Sequence, residues 1–133
     1  MTTPVFINLC VDDLPRTNQF WQTLGFSFKE KFSNEVATCM ILNDQAFVML
    51  LTRPFFTQFV RNPISDAHRQ TEVLLAISVE SRTAVDAFME KAMAMGAREA
   101  RDVQDMEHMY SRAFHDLDGH IWEIGWMDPA VYN

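Results

Sequence analysis

Arg112 and Glu123 are the residues of this 133-residue chain whose types and spacing point most directly to chemistry. The run Asp116-Leu117-Asp118-Gly119 reads as a four-residue turn between two alternating segments. Such a turn sets residue 115 opposite 120 and, with no bulge, Arg112 opposite Glu123 on adjacent antiparallel strands. A carboxylate alone in an apolar site is costly to keep charged, and a guanidinium beside it offers a bidentate partner. Two uses follow. Arg112 could hold a carboxylate or phosphate of a small ligand while Glu123, the candidate catalytic group, accepts a hydrogen bond or a proton. Alternatively, the two neutralise each other and order the hairpin.

The other reactive side chains carry less. His68, His108, His115 and His120 show no HxxxH or HxH spacing and are expected to be solvated or edge histidines. Asp116 and Asp118 lack the further spaced carboxylates of a calcium loop, so turn formation accounts for them. Cys10 and Cys39 are too few and too far apart for a disulfide framework, and are expected to be reduced and buried. Cys10 has no histidine beside it, and apolar surroundings disfavour a thiolate nucleophile.

The elements that must position Arg112 and Glu123 emerge from an internal repeat at an offset of 68. Val5, Ile7, Leu9 and Val11 alternate as a half-buried strand does, and Val73, Leu75, Ile77 and Val79 match them. A helix follows each. In the first copy Asp12 or Asp13 can cap, Pro15 suits the opening turn, Thr17, Phe20, Trp21 and Leu24 form the stripe, and Gly25 ends it. In the second, Ser81 can cap, Val85, Phe88, Met89 and Ala92 form the stripe, and Gly96 ends it. Three short strands per half come next: about 26–32, 35–42 and 45–51, then about 97–103, 108–115 and 120–126.

The reading is an α+β chain of two β-α-β-β-β repeats, about 4–51 and 72–127, joined by a connection at 52–71 with one short helix after Pro54. All of 1–133 is expected to form a single domain, a curved mixed sheet around a cleft with helices outside. Alternation puts Phe6, Asn8, Cys10, Phe47, Met49, Leu51, Leu74, Ala76, Ser78, Tyr110 and Ile121 on the inner surface with Glu123. Trp122, Ile124 and Trp126 fall on the helix side. A mostly apolar cleft with few polar groups suits a small molecule bearing one polar or anionic end. A closed core in which Phe6, Met49 and Leu74 fill the space is the alternative.

Composition narrows the function classes. At 48% hydrophobic and 12% aromatic residues the chain can build a packed core. Eighteen acidic against eleven basic residues give a formal charge of -7, which repels phosphate backbones and anionic bilayers, so neither nucleic acid nor membrane is an expected partner. The longest apolar run, Ala46 to Leu51, is far short of the roughly 20 residues of a membrane-spanning helix. Met1-Thr2-Thr3-Pro4 shows neither the charged start nor the apolar stretch of a secretion signal, and a cytoplasmic location is expected.

The repeat arrangement carries Val11-Asp12-Asp13-Leu14 leading to Phe20-Trp21 and Leu24-Gly25-Phe26, with Asp118-Gly119-His120-Ile121-Trp122-Glu123 near the end. In these features the chain resembles the vicinal oxygen chelate superfamily, which includes glyoxalase I, bleomycin-resistance proteins, fosfomycin-resistance enzymes and extradiol dioxygenases. The similarity spans essentially the whole chain, and is greatest to the bacterial subgroup labelled predicted lactoylglutathione lyase. It implies a homodimer and a divalent metal held by four side chains, one from the first and one from the last strand of each repeat. Matched to the motifs, those positions are Phe6, Met49, Leu74 and Glu123. One carboxylate among three hydrocarbon or thioether side chains cannot compete with water for a dication, so no metal and no other cofactor is expected.

The leading expectation is therefore a glyoxalase/bleomycin-resistance-like protein with a degenerate metal site. It would bind a small amphipathic or anionic molecule through Arg112, Glu123, Asn8, Phe6, Met49, Leu74 and Tyr110. One alternative is a metal-dependent glyoxalase-like lyase or isomerase with Glu123 as base. Another is a structural or regulatory dimer without a ligand.

Overall fold

The computed structural model describes residues 3–132; Met1 and Thr2, at the start of the stretch tested for a secretion signal, and Asn133 lie outside the described residues. The chain divides into two compact units, Met1–Ser65 and Asp66–Asn133, with the division inside the connection between the repeats.

The first unit runs β1 (Val5–Val11), α1 (Leu14–Thr23), β2 (Ala37–Asn43), β3 (Ala46–Thr52) and α2 (Arg53–Thr57). Its three-stranded sheet has the order β1-β3-β2, with β1 parallel and β2 antiparallel to β3. Asp13 caps α1 by accepting from Arg16 N, and Pro15 lies in the first turn, where its missing N–H has no helical acceptor to lose. The buried stripe of α1 is Leu14, Thr17, Phe20 and Trp21. Within the sheet, Cys39, Met40, Val48 and Leu50 are wholly buried; each large apolar side chain so placed contributes about 1.5–3 kcal/mol.

The expected strand over 26–32 is not formed. Phe28 makes one isolated bridge to Met40, and Glu30–Phe32 winds into a 3-10 turn. Side-chain bonds divert the backbone here: Ser33 Oγ donates to Lys29 O and accepts from Cys39 N. Asn34 Oδ1 accepts from both Val36 N and Ala37 N, so β2 starts at Ala37, two residues later than expected.

The second unit runs β4 (Leu74–Ser78), α3 (Arg82–Ala94), β5 (Arg98–Glu99), β6 (Gln104–Met106), β7 (Met109–His115), β8 (Ile121–Met127) and α4 (Pro129–Tyr132). The sheet order is β4-β8-β7-β5, with β6 also paired to β7. The expected strand over 97–103 is replaced by the two short strands β5 and β6, and the short helix α4 was not foreseen. Ser81 caps α3 through Ala84 N. Val85, Met89 and Ala92 of that helix are wholly buried, and Phe114, Ile124 and Trp122 lie on the sheet face toward it. Each repeat thus sets its first strand parallel to its last: Asn8 beside Met49 in one, Ala76 beside Glu123 in the other. No helix among the described residues is long and apolar enough to cross a membrane.

Candidate functional site

The hairpin joining β7 to β8 decides which side chains surround Glu123. The ladder closes with His115 opposite Ile121, not 120, so five residues, Asp116 to His120, form the connection. Asp116 imposes this. Its Oδ1 accepts from Asp118 N and His120 N, its Oδ2 accepts from Trp122 Nε1, and its own N–H donates to His120 O. Burial pushes this carboxyl above the usual carboxylate range, against the pull of His120 and these N–H donors.

The added residue overturns the expected pairing. Arg112 stands opposite Ile124 and Glu123 opposite Ala113, which puts Arg112 and Glu123 on opposite faces of the sheet. Arg112 faces α3, where Nη1 donates to Asp86 Oδ1 at 3.0 Å and Glu90 and Glu99 lie within 4 Å of the guanidinium. Tyr110, opposite Trp126, shares that face instead of the inner one and donates its hydroxyl to Asp86 at 2.7 Å. That bond holds Asp86 below the usual carboxylate range and pushes Tyr110 up. Neither residue meets Glu123.

Glu123 is paired by a residue the sequence reading missed. Nη2 of Arg101 lies 2.8 Å from Glu123 Oε2 and 2.7 Å from Ser111 Oγ, while Nη1 donates to Asp102 O at 3.0 Å. Arg101 follows β5 in the irregular stretch that replaces a strand, so no period in the sequence pointed it toward β8.

Around the pair the sheet face is built from small side chains. Glu123 is flanked by Ala76 on β4 and Ala113 on β7; the next row is Ser78, Gly125 and Ser111. Beyond Glu123 in the other direction stand Leu74 and Ile121, and Leu74 is 54% exposed. Glu123 itself is 28% exposed and Arg101 26%. Among the described residues no hydrogen bond reaches Glu123 Oε1. The arrangement can present one open carboxylate oxygen beside an apolar edge, to accept a hydrogen bond or a proton.

In the first unit Phe6, Asn8, Cys10, Phe47, Met49 and Leu51 share one face, as alternation requires. Phe6 stacks on Phe47 with centroids 4.9 Å apart and remains 48% exposed, and Lys29 Nζ lies 5.0 Å from the Phe47 centroid. An open depression of about 680 Å³ in this unit is bounded by Asn18, Gln22 and Asn34 among others. The Asn34 carbonyl oxygen in it is already spent on two backbone N–H groups.

The residues present do not fit a divalent metal. Phe6 and Leu74 have no donor atom, Met49 has only a thioether, and Glu123 is committed to Arg101. Among the described residues no three His, Cys, Asp or Glu side chains stand close enough together to hold an ion.

A family model described as the Glyoxalase/Bleomycin resistance protein/Dioxygenase superfamily matches residues 3–124. Hypothetical protein SA1046 from S. aureus superposes with a TM-score of 0.81 at 23% identity, over 95% of each chain. A glyoxalase-related enzyme from Fulvimarina pelagi gives 0.79 at 23% identity, over 95% of this chain and 88% of that one. The fosfomycin resistance protein FosX from Mesorhizobium loti gives 0.69 at 13% identity, over 99% and 98%. At these identities the likeness is one of fold. No curated protein sequence matches the chain.

Proposed function

Because the chain belongs to the Glyoxalase/Bleomycin resistance protein/Dioxygenase superfamily, we propose that it is a metal-independent member that binds a small amphipathic molecule at Glu123. The carrying observation is the Arg101–Glu123 pair, whose carboxylate keeps Oε1 open beside the exposed Leu74. An apolar edge next to one oriented polar group is the ordinary composition of a small-ligand site.

Self-association is part of the proposal. β1 is an edge strand with Val5 51% exposed, and β4 is an edge strand in its own sheet. Unpaired edges bearing apolar side chains favour pairing with a second copy. Binding is placed in the cytoplasm, where Cys10 and Cys39 stay reduced.

A thermal-shift screen of small amphipathic compounds, run with a chelator present, tests the reading. A saturable rise in Tm that survives chelation and falls in Glu123→Gln is the expected result. A rise that needs added nickel or zinc, or none from any compound, would overturn it.

A further inference from the structure

We infer that the first unit carries a binding site of its own for a small flat aromatic anion, with Phe6 and Phe47 as the apolar platform and the Lys29 ammonium as the partner of the charge. This goes beyond the reading at Glu123 and does not depend on it. Register puts the three side chains on one face. Phe6 stands beside Phe47, Phe47 opposite Ile41, and Cys39 opposite Met49. Phe28 bridges to Met40 and Lys29 N donates to Cys39 O, so alternation turns Lys29 to the side of Cys39 and Ile41, across β2 from the two rings. Its Nζ lies 5.0 Å from the Phe47 centroid, and Phe6 stacks on that ring with centroids 4.9 Å apart. Phe6 stays 48% exposed, which leaves aromatic surface for a further ring.

The charges around the rings decide the polar end. Nζ of Lys29 is also 5.6 Å from the Phe32 centroid, and Nζ of Lys31 is 5.9 Å from it, so two ammonium groups flank one ring. The acidic side chains nearest in sequence, Glu30, Glu35 and Asp44, are exposed, and among the described residues none forms an ion pair with either lysine. Glu30 instead borders the depression beside Asn18 and Gln22. Aromatic faces attract an ammonium without neutralising it. A neutral acceptor would gain one hydrogen bond here, whereas an anion also offsets two like charges, and a cation is repelled by them. The wider field agrees. Met1–Ser65 holds five acidic and five basic residues, while Asp66–Asn133 holds thirteen and six and so carries the whole formal charge of -7. Taken by itself, the first unit opposes an anion with no net charge.

The test uses matched probes with the same apolar body, 2-naphthoate and 2-naphthylmethanol, titrated calorimetrically at neutral pH into the full chain. Wild type should bind the carboxylate at least about ten-fold more tightly than the alcohol, the usual scale of one charge-assisted hydrogen bond. Lys29→Met keeps an aliphatic stem on the ring and removes the charge; it should lose most of that preference and bind the alcohol as before. Lys29→Arg should keep the preference, and Phe6→Ser should weaken both probes. Melting curves check that each variant folds. A preference unchanged in Lys29→Met would put the anion on another cation and overturn the inference. Tighter wild-type binding of the alcohol, or saturable binding of neither probe, would overturn it as well. If Phe6→Ser altered sedimentation but neither affinity, the platform would belong to a second copy of the chain and the inference would fall.

Discussion

Nη2 of Arg101 bridges Ser111 Oγ at 2.7 Å and Glu123 Oε2 at 2.8 Å, tying the irregular stretch after β5 to the two inner strands, β7 and β8, of the second sheet. The pair is about a quarter exposed, so water screens part of its attraction. Arg101→Met should therefore lower stability by about 1 kcal/mol in urea unfolding. A double-mutant cycle with Glu123→Gln should return most of that as coupling; strictly additive losses would show that the contact does not stabilise.

Tyr110 and Asp86 link β7 to α3 through one hydrogen bond that favours the neutral phenol and the ionised carboxylate. Tyr110 should titrate above 10.0, by phenolate absorbance, and Asp86→Asn should bring it back toward that value. For Asp86 the folded value lies below the ordinary 3.8. Its stabilising contribution is thus complete above that pH and lost as pH falls through the folded value. Asp86→Asn should lose less stability than wild type on acidification below 3.8; identical acid profiles would contradict the assignment.

Asp116 closes the hairpin by accepting three N–H bonds. Asparagine can keep the two on Oδ1 but would turn an N–H₂ toward Trp122 Nε1, donor against donor. The expected loss for Asp116→Asn is about 1–3 kcal/mol, the cost of a buried donor without an acceptor. Thermal melts and near-ultraviolet circular dichroism of Trp122 would check it.

Gly119 and Gly25 both have positive φ, 91° and 106°, but their surroundings differ. A Cβ on Gly119 would stand 2.7 Å from the backbone of Ala67 and His68, whereas one on Gly25 would meet nothing within 4 Å. Gly25→Ala should cost about 1–2 kcal/mol from the left-handed backbone alone. Gly119→Ala should cost clearly more, because backbone must move. Equal losses would refute the steric part.

Nickel, zinc and manganese should leave the Tm unchanged, since Glu123 is the single strong donor at the four family positions and is held by Arg101. Elemental analysis of purified protein is the direct check. Stoichiometric metal that disappears in Glu123→Gln would contradict the degenerate-site reading.

Local chemistry made much of this protein legible. Alternation and capping located β1, α1, β4 and α3, because a strand packed on one face and an N-capped amphipathic helix each leave a period that nearby residues cannot disguise. The 68-residue offset likewise exposed the repeat, and the pairing of Asn8 with Met49 and of Ala76 with Glu123 bears out the correspondence between halves. The strand expected over 26–32 failed because Ser33 and Asn34 compete for the backbone groups a ladder would use. The one expected over 97–103 is interrupted, its place taken by the short strands β5 and β6.

Residue patterning alone determined that the chain is a two-repeat α+β protein, and the resemblance implied that Phe6, Met49 and Leu74, without a strong donor among them, stand at three of four positions where a metal would need ligands. Which arginine meets Glu123 was settled only by folding. Side-chain parity along a strand is a local property, but register depends on how many residues a turn contains, and Asp116 drew one more into the turn than its composition implied. That single step moved Arg112 to the helix face and left Glu123 to Arg101, a partner 22 residues away that no periodicity could reach.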